Sequence, residues 1–158
     1  MIGTCNGLLC LLRPNERHDI VVIKPVTREA IAVDLPSTWY YGRNEATYSF
    51  GYHPATGQYK IVHVPSYEPA RLDAVRVLTL GDDDGPGAWR EVPAPAGSSC
   101  FLRFGLVSVG GVTYWVTEDA ERIMSFDLMD ERVAPVESPP MPVSLVPMKV
   151  QLPAVPSR

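Results

Sequence analysis

The chain is 158 residues long, 46% apolar, and carries a formal charge of −4 without long charged runs. That suits one globular domain and gives no electrostatic reason to expect a nucleic-acid or membrane partner. Its 12 glycines and 16 prolines interrupt it too often for long amphipathic helices and favour many short strands.

The first predicted element pair is "GTCNGLLCLL" (3–12), in which Asn6-Gly7 joins two strand-like pieces through a two-residue hairpin turn. The apolar "LLCLL" is too short for a membrane span and follows no basic leader. "CNGLLC" has no second ligand pair, so it lacks the four ligands of structural zinc. Cys5, Cys10 and Cys100 are an odd number, too sparse for a disulfide scaffold. They read as core thiols in a reducing compartment, which predicts a cytoplasmic or nuclear location.

After a loop, "RPNERHD" (13–19), the stretch "DIVVIKPVTREAIAVDLP" (19–36) predicts a second hairpin. The loop "STWYYGRNEAT" (37–47) leads to "SFGYHPATGQYKIVHV" (49–64), which reads as strand, turn at Pro54 to Gly57, strand. "PSYEPARLD" (65–73) then precedes another hairpin in "AVRVLTLGDDDGPGAWREVP" (74–93). The last set is "LVSVGGVTYWV" (106–116) around Gly110-Gly111, the loop "TEDAE" (117–121), and "RIMSFDLMDERVAPV" (122–136).

Gly7, Gly57 and Gly111 recur about every 50 residues, the period of four-stranded kelch-type blades. The predicted fold is all-β, a partial propeller of about three four-stranded antiparallel blades over 1–36, 46–95 and 104–138. The domain is expected over 1–140, with a proline-rich C-terminal tail over 141–158. Prolines near the end of each second hairpin suit an outer edge strand. Adjacent apolar positions, such as Ile20 to Ile23 and Ile123-Met124, predict sheets buried on both faces. A closed propeller has at least four blades, so part of a larger domain is expected, as from a truncated product.

The motifs "GTCNGLLCLL", "KPVTREAIAVDLP", "SFGYHPATGQYKIVHV", "AWREVP" and "VGGVTYWV" with "IMSFDLMDERV" resemble, in order, those of the plant F-box associated domain. The stretch from Tyr52 to Lys60 is the most specific of them. The resemblance implies a kelch-like interaction domain that recruits protein substrates to SCF ubiquitin ligases. It also implies contact with a Skp-type adaptor only through an F-box, which this sequence lacks. Lys24 stands where the family more often has Asn, and Pro25 shapes the turn in either case.

In such a blade, the a–b and c–d turns emerge at one end, while the b–c loops and inter-blade links gather at the other. Arg17, Trp39, Tyr40, Tyr41, Arg43, Tyr67 and Arg71 fall in this second set and are the candidate partner-binding residues, being types that dominate interfaces. Trp39 and Tyr40 could instead pack between blades. Trp89 and Trp115, on strand segments, read as core.

No catalytic constellation is found, and no metal or cofactor is expected. "DDDG" (82–85) lacks the alternating ligands and later glutamate of a calcium loop. Asp119 and Glu121 have no partner histidine for acid–base work. His18, His53 and His63 are isolated, and no serine or cysteine stands in a nucleophile elbow. The alternative reading is a carbohydrate-binding or hydrolytic propeller whose loop aromatics stack on sugar.

Overall fold

The computed structural model describes residues 1–13, 19–36, 45–65, 71–81, 87–101, 103 and 105–137. These form twelve strands in three four-stranded sheets, each an antiparallel meander in chain order. Blade 1 holds β1 (Gly3–Cys5), β2 (Leu8–Leu12), β3 (Asp19–Lys24) and β4 (Glu29–Asp34). Blade 2 holds β5 (Tyr48–His53), β6 (Gln58–His63), β7 (Ala74–Thr79) and β8 (Arg90–Pro93). Blade 3 holds β9 (Val107–Val109), β10 (Val112–Val116), β11 (Ile123–Asp127) and β12 (Arg132–Pro135). A 3-10 turn, Glu45–Thr47, leads into β5. The predicted fold class and the three blade ranges agree with these sheets.

Two kinds of reversal build the blades. Cys5 pairs with Leu8 and Val109 with Val112, leaving Asn6-Gly7 and Gly110-Gly111 as two-residue turns. All four residues have positive φ, as a type I′ turn requires. The second kind is a four-residue loop closed by a 2.9 Å backbone bond, donated by Arg28, Gly57 and Glu131 to the carbonyls of Lys24, His53 and Asp127. In each loop the donor sits at positive φ, which Gly57 adopts freely and Arg28 and Glu131 adopt at a cost.

Blade 2 sits between the other two. Its row of Tyr48, Phe50, Ile61 and Leu78 packs with Cys10, Ile20, Val22 and Val33 of blade 1. Its other face, with Val62, Val75 and Val77, packs with Trp115, Met124, Phe126 and Val133 of blade 3. The strand alternation thus supplies two apolar faces from one sheet, because successive side chains point to opposite sides. The first strands of the blades lie side by side, β1 against β5 and β5 against β9, as around a propeller axis. Gly51 makes this approach possible: a methyl there would overlap Ser108 Oγ and lie 2.7 Å from Leu128 Cδ1.

Trp115 is core, as expected, but Trp89 is half-buried. Its indole Nε1 donates to the Asp34 carbonyl at 2.7 Å, tying the outer part of blade 2 to blade 1. The expectation of burial on both faces holds for Ile20 to Val22 and fails at Ile123, which is 47% exposed. Blade 3 has blade 2 on one side only, so the residues on its other face have no described cover. Cys10 and Cys100 are buried and Cys5 half-buried, all three as reduced thiols. No helix among the described residues is long and apolar enough to cross a membrane.

Candidate functional site

The antiparallel meander sends every b–c loop and both inter-blade links to one end of the sheets, opposite the tight turns. Loops there are fastened at their bases. In blade 1, Arg13 Nε donates to Asp19 Oδ1 at 2.7 Å while Arg13 N–H donates to the Asp19 carbonyl at 2.9 Å. These bonds close the neck of the 14–18 loop. In blade 2, Val64 N–H reaches the Thr47 carbonyl at 2.8 Å, and Leu72 N–H reaches the Ser98 carbonyl at 2.9 Å.

Ser99 links two blades at this rim. Its backbone pairs with Arg71, its carbonyl accepts from Trp115 Nε1 at 3.1 Å, and its Oγ accepts from the Glu118 N–H at 3.0 Å. The loop of blade 3 is an Asx-type turn in which Asp119 accepts from the Thr117 hydroxyl and from Glu121 N–H. Those bonds, the Thr117 hydroxyl first, hold the Asp119 carboxyl below its usual range. An ionised carboxylate committed to its own turn is a structural cap rather than a general acid.

A cavity of about 170 Å³ opens beside blade 2, lined by Pro65, Arg71, Asp73, Ala74, Arg76 and Glu91. Arg71 Nε lies 2.7 Å from Asp73 Oδ1 and Arg76 Nε lies 3.2 Å from Glu91 Oε1. Arg71 is open to solvent with its side chain 76% exposed, whereas Arg76 is largely covered. Its walls present two guanidinium groups and two carboxylates.

Behind Arg76 stands a cross-strand row. Register places Tyr48, His63, Arg76 and Glu91 opposite one another across all four strands of blade 2. His63 is fully buried, stacked on Tyr48 with ring centroids 4.5 Å apart, and neither ring nitrogen has a hydrogen-bond partner. Burial, helped by the charge of Arg76, pushes its pKa down to about 3. The ring is therefore neutral and serves as packing.

Of the seven residues singled out from sequence, Arg71 is described and lines the cavity. Arg17, Trp39, Tyr40, Tyr41, Arg43 and Tyr67 lie outside the described residues, as do His18, the "DDDG" turn and the tail over 141–158. Each of those six falls in a segment whose flanking residues are at this rim. Asp73, Arg76 and Glu91 were missed. Arg76 and Glu91 alternate with Val75, Val77 and Val92 on their strands, a period-two signal that marks them as sharing one face.

His53 lies at the opposite end, in the turn of β5 and β6, where a methyl on Gly111 would meet its ring at 2.9 Å. Among the described residues, no group of three or more histidine, cysteine, aspartate or glutamate side chains could hold a metal ion. Cys10 and Cys100 have thiols that burial pushes up to about 12, and Cys5 is raised for the same reason. Thiols of that kind are poor nucleophiles.

Comparison with known proteins gives two results. Residues 1–151 match the family profile described as F-box associated beta propeller domain. The chain is also similar to F-box protein At3g07870 of Arabidopsis thaliana, 24% identical over 162 residues, covering 88% of this chain and 38% of that protein. The chain thus spans well under half the length of the curated relative it matches.

Proposed function

Since the chain belongs to the family of F-box associated beta propeller domains, we propose that it recruits a protein substrate to an SCF-type ubiquitin ligase through its loop rim. The observation that carries this is the rim itself. The connections at this end are fastened at their bases by Arg13–Asp19 and Ser99, and beside blade 2 lies a cavity with Arg71 exposed at its mouth. A rigid scaffold with such loops loses little entropy on binding, which favours a recognition surface.

Its role in this reading is to hold a target, while a Skp-type adaptor is engaged by an F-box encoded outside these residues. Target degradation would follow from ubiquitin transfer by the assembled ligase, in the cytoplasm or nucleus. The similarity to an Arabidopsis F-box protein supports both the ligase assignment and a plant setting.

The test is a transfer assay. Joined behind an F-box module, the 158-residue chain should direct ubiquitin onto a target in a reconstituted ligase, and an Arg71→Glu version should lose that activity. The chain alone should not bind the adaptor. Selective binding on a glycan array, with no protein target retained, would replace this reading with the carbohydrate-binding one.

A further inference from the structure

The outer strand of each blade has one edge that no further strand of its sheet receives, and the three blades treat that edge differently. Ala94 N–H donates to the Asp73 carbonyl and Val136 N–H to the Ile123 carbonyl, both at 2.8 Å. Bonding alternates along an antiparallel pair. With the register, these bonds therefore turn the backbone of Glu91 and Pro93 outward on β8, and that of Val133 and Pro135 outward on β12. Each of those edges carries a proline with no N–H to offer, a guard against pairing with another chain.

The edge of β4 lacks that guard. Arg13 N–H donates to the Asp19 carbonyl at 2.9 Å, which directs the backbone of Ile20, Val22 and Lys24 toward β4 and leaves Ala30, Ala32 and Asp34 facing outward. The Asp34 carbonyl takes the Trp89 indole N–H, in agreement with that direction. Counted from the turn, Ala32 holds the place that Pro135 holds in blade 3. Ala30, Ile31 and Ala32 are all exposed, Ile31 at 42%. Among the described residues, none bonds to the outward backbone groups of Ala30 or Ala32.

An open edge of this kind accepts an incoming strand, and the sequence of β4 selects which. Two copies of β4 satisfy the outward groups of both alanines in one antiparallel register, with Ala30 opposite Ala32 of the second copy. In that register Ile31 lies opposite its own equivalent, and Arg28 lies opposite Asp34 of the second copy at both ends. Apolar side chains and opposite charges set directly across from one another favour pairing.

We propose that the outer edge of blade 1 pairs with the same edge of a second copy, joining two blades into one continuous antiparallel sheet about a two-fold axis. The pairing is independent of what the loop rim binds.

The experiment is sedimentation velocity on the full chain across the micromolar range, with Ala32→Pro, Arg28→Asp, Asp34→Arg and the last two combined. The parent should form a concentration-dependent dimer. Ala32→Pro, which gives β4 the proline of β12, should leave a monomer. Each single charge reversal should weaken the dimer severalfold, and the double reversal should restore it, because the facing charges are then opposite again.

A parent that stays monomeric overturns the proposal. So does a folded Ala32→Pro variant that still dimerises, a dimer that neither single reversal weakens, or a double reversal that stays weak. Circular dichroism of each form checks that the β signature of the parent is retained; where Ala32→Pro loses it, the charge-reversal series decides alone.

Discussion

Lys60 of blade 2 donates through Nζ to the Glu131 carboxylate of blade 3 at 2.9 Å, and its ammonium is almost wholly buried. Nζ also donates to the Leu128 carbonyl, and Arg90 of blade 2 reaches the same Glu131 oxygen. One four-residue turn of blade 3 is therefore gripped from two strands of blade 2. Burial raises the Glu131 pKa, but the bonds from Lys60 and Arg90 outweigh it and hold the carboxyl below its usual range.

Removing the acid should cost more than removing the base. Glu131→Gln leaves the Lys60 ammonium buried without its counter-charge, for which about 3 kcal/mol is expected. Lys60→Met removes the buried charge and leaves Glu131 with Arg90, so its cost should be smaller, about 1 kcal/mol. Urea unfolding of both variants checks the order. Equal losses would show that the buried ammonium is not the sensitive partner.

The close passage of blades at Gly51 makes a second expectation. Gly51→Ala forces Ser108 and buried Leu128 aside and should destabilise by about 1–3 kcal/mol. Gly3→Ala is the comparison, since a methyl there meets Phe50 Cβ at an ordinary 3.6 Å. Thermal melts should separate the two clearly. A harmless Gly51→Ala would mean that blade 3 does not press on β5 at this point.

The matched four-residue loops offer an internal control. Arg28 is exposed and holds positive φ without glycine, so Arg28→Gly should gain up to about 1 kcal/mol. Gly57→Ala, at the corresponding place in blade 2, should lose about 1 kcal/mol. Denaturant midpoints that move in the same direction would contradict the shared turn geometry.

His63 sets a pH dependence. Its folded pKa of about 3 lies below its ordinary 6.5, so the unfolded chain binds a proton that the folded chain refuses. Stability from this residue is complete above about pH 6.5 and falls as pH drops, on the order of 1.4 kcal/mol per pH unit, until about pH 3. The difference in unfolding free energy between parent and His63→Phe, measured from pH 7 to pH 4, should carry that slope. A flat difference would show that the folded protein protonates this ring.

Much of the fold was legible because its turns are local. Asn6-Gly7 and Gly110-Gly111 announce themselves in two residues, and their spacing announces the blades. The loops at Pro25 to Arg28 and Leu128 to Glu131 were harder, since Arg and Glu occupy positions where glycine would have been diagnostic. Lys60 stood inside the most specific motif, yet its partner is 71 residues away, and no local pattern encodes a pairing between blades. Ile123 was misread as buried because burial on a second face depends on a neighbour that the strand sequence does not specify.

The site was legible in kind and in part. Counting aromatic and arginine residues in the long loops led to Arg71, which the cavity contains. Arg76 and Glu91 escaped because a charge on a strand reads as solvated surface until topology sets it beside a loop, and Asp73, the last residue of the 65–73 loop, because only aromatic and arginine residues were counted there.

The central claim is that the loop end, not the turn end, meets a protein partner. The direct measurement is a photo-crosslinking residue placed at Arg71 and, separately, at Val26, which is 91% exposed in a turn at the opposite end. Both forms are irradiated in plant-cell extract. Discrete protein adducts from the Arg71 position and none from Val26 are predicted; adducts from Val26 alone would contradict the account.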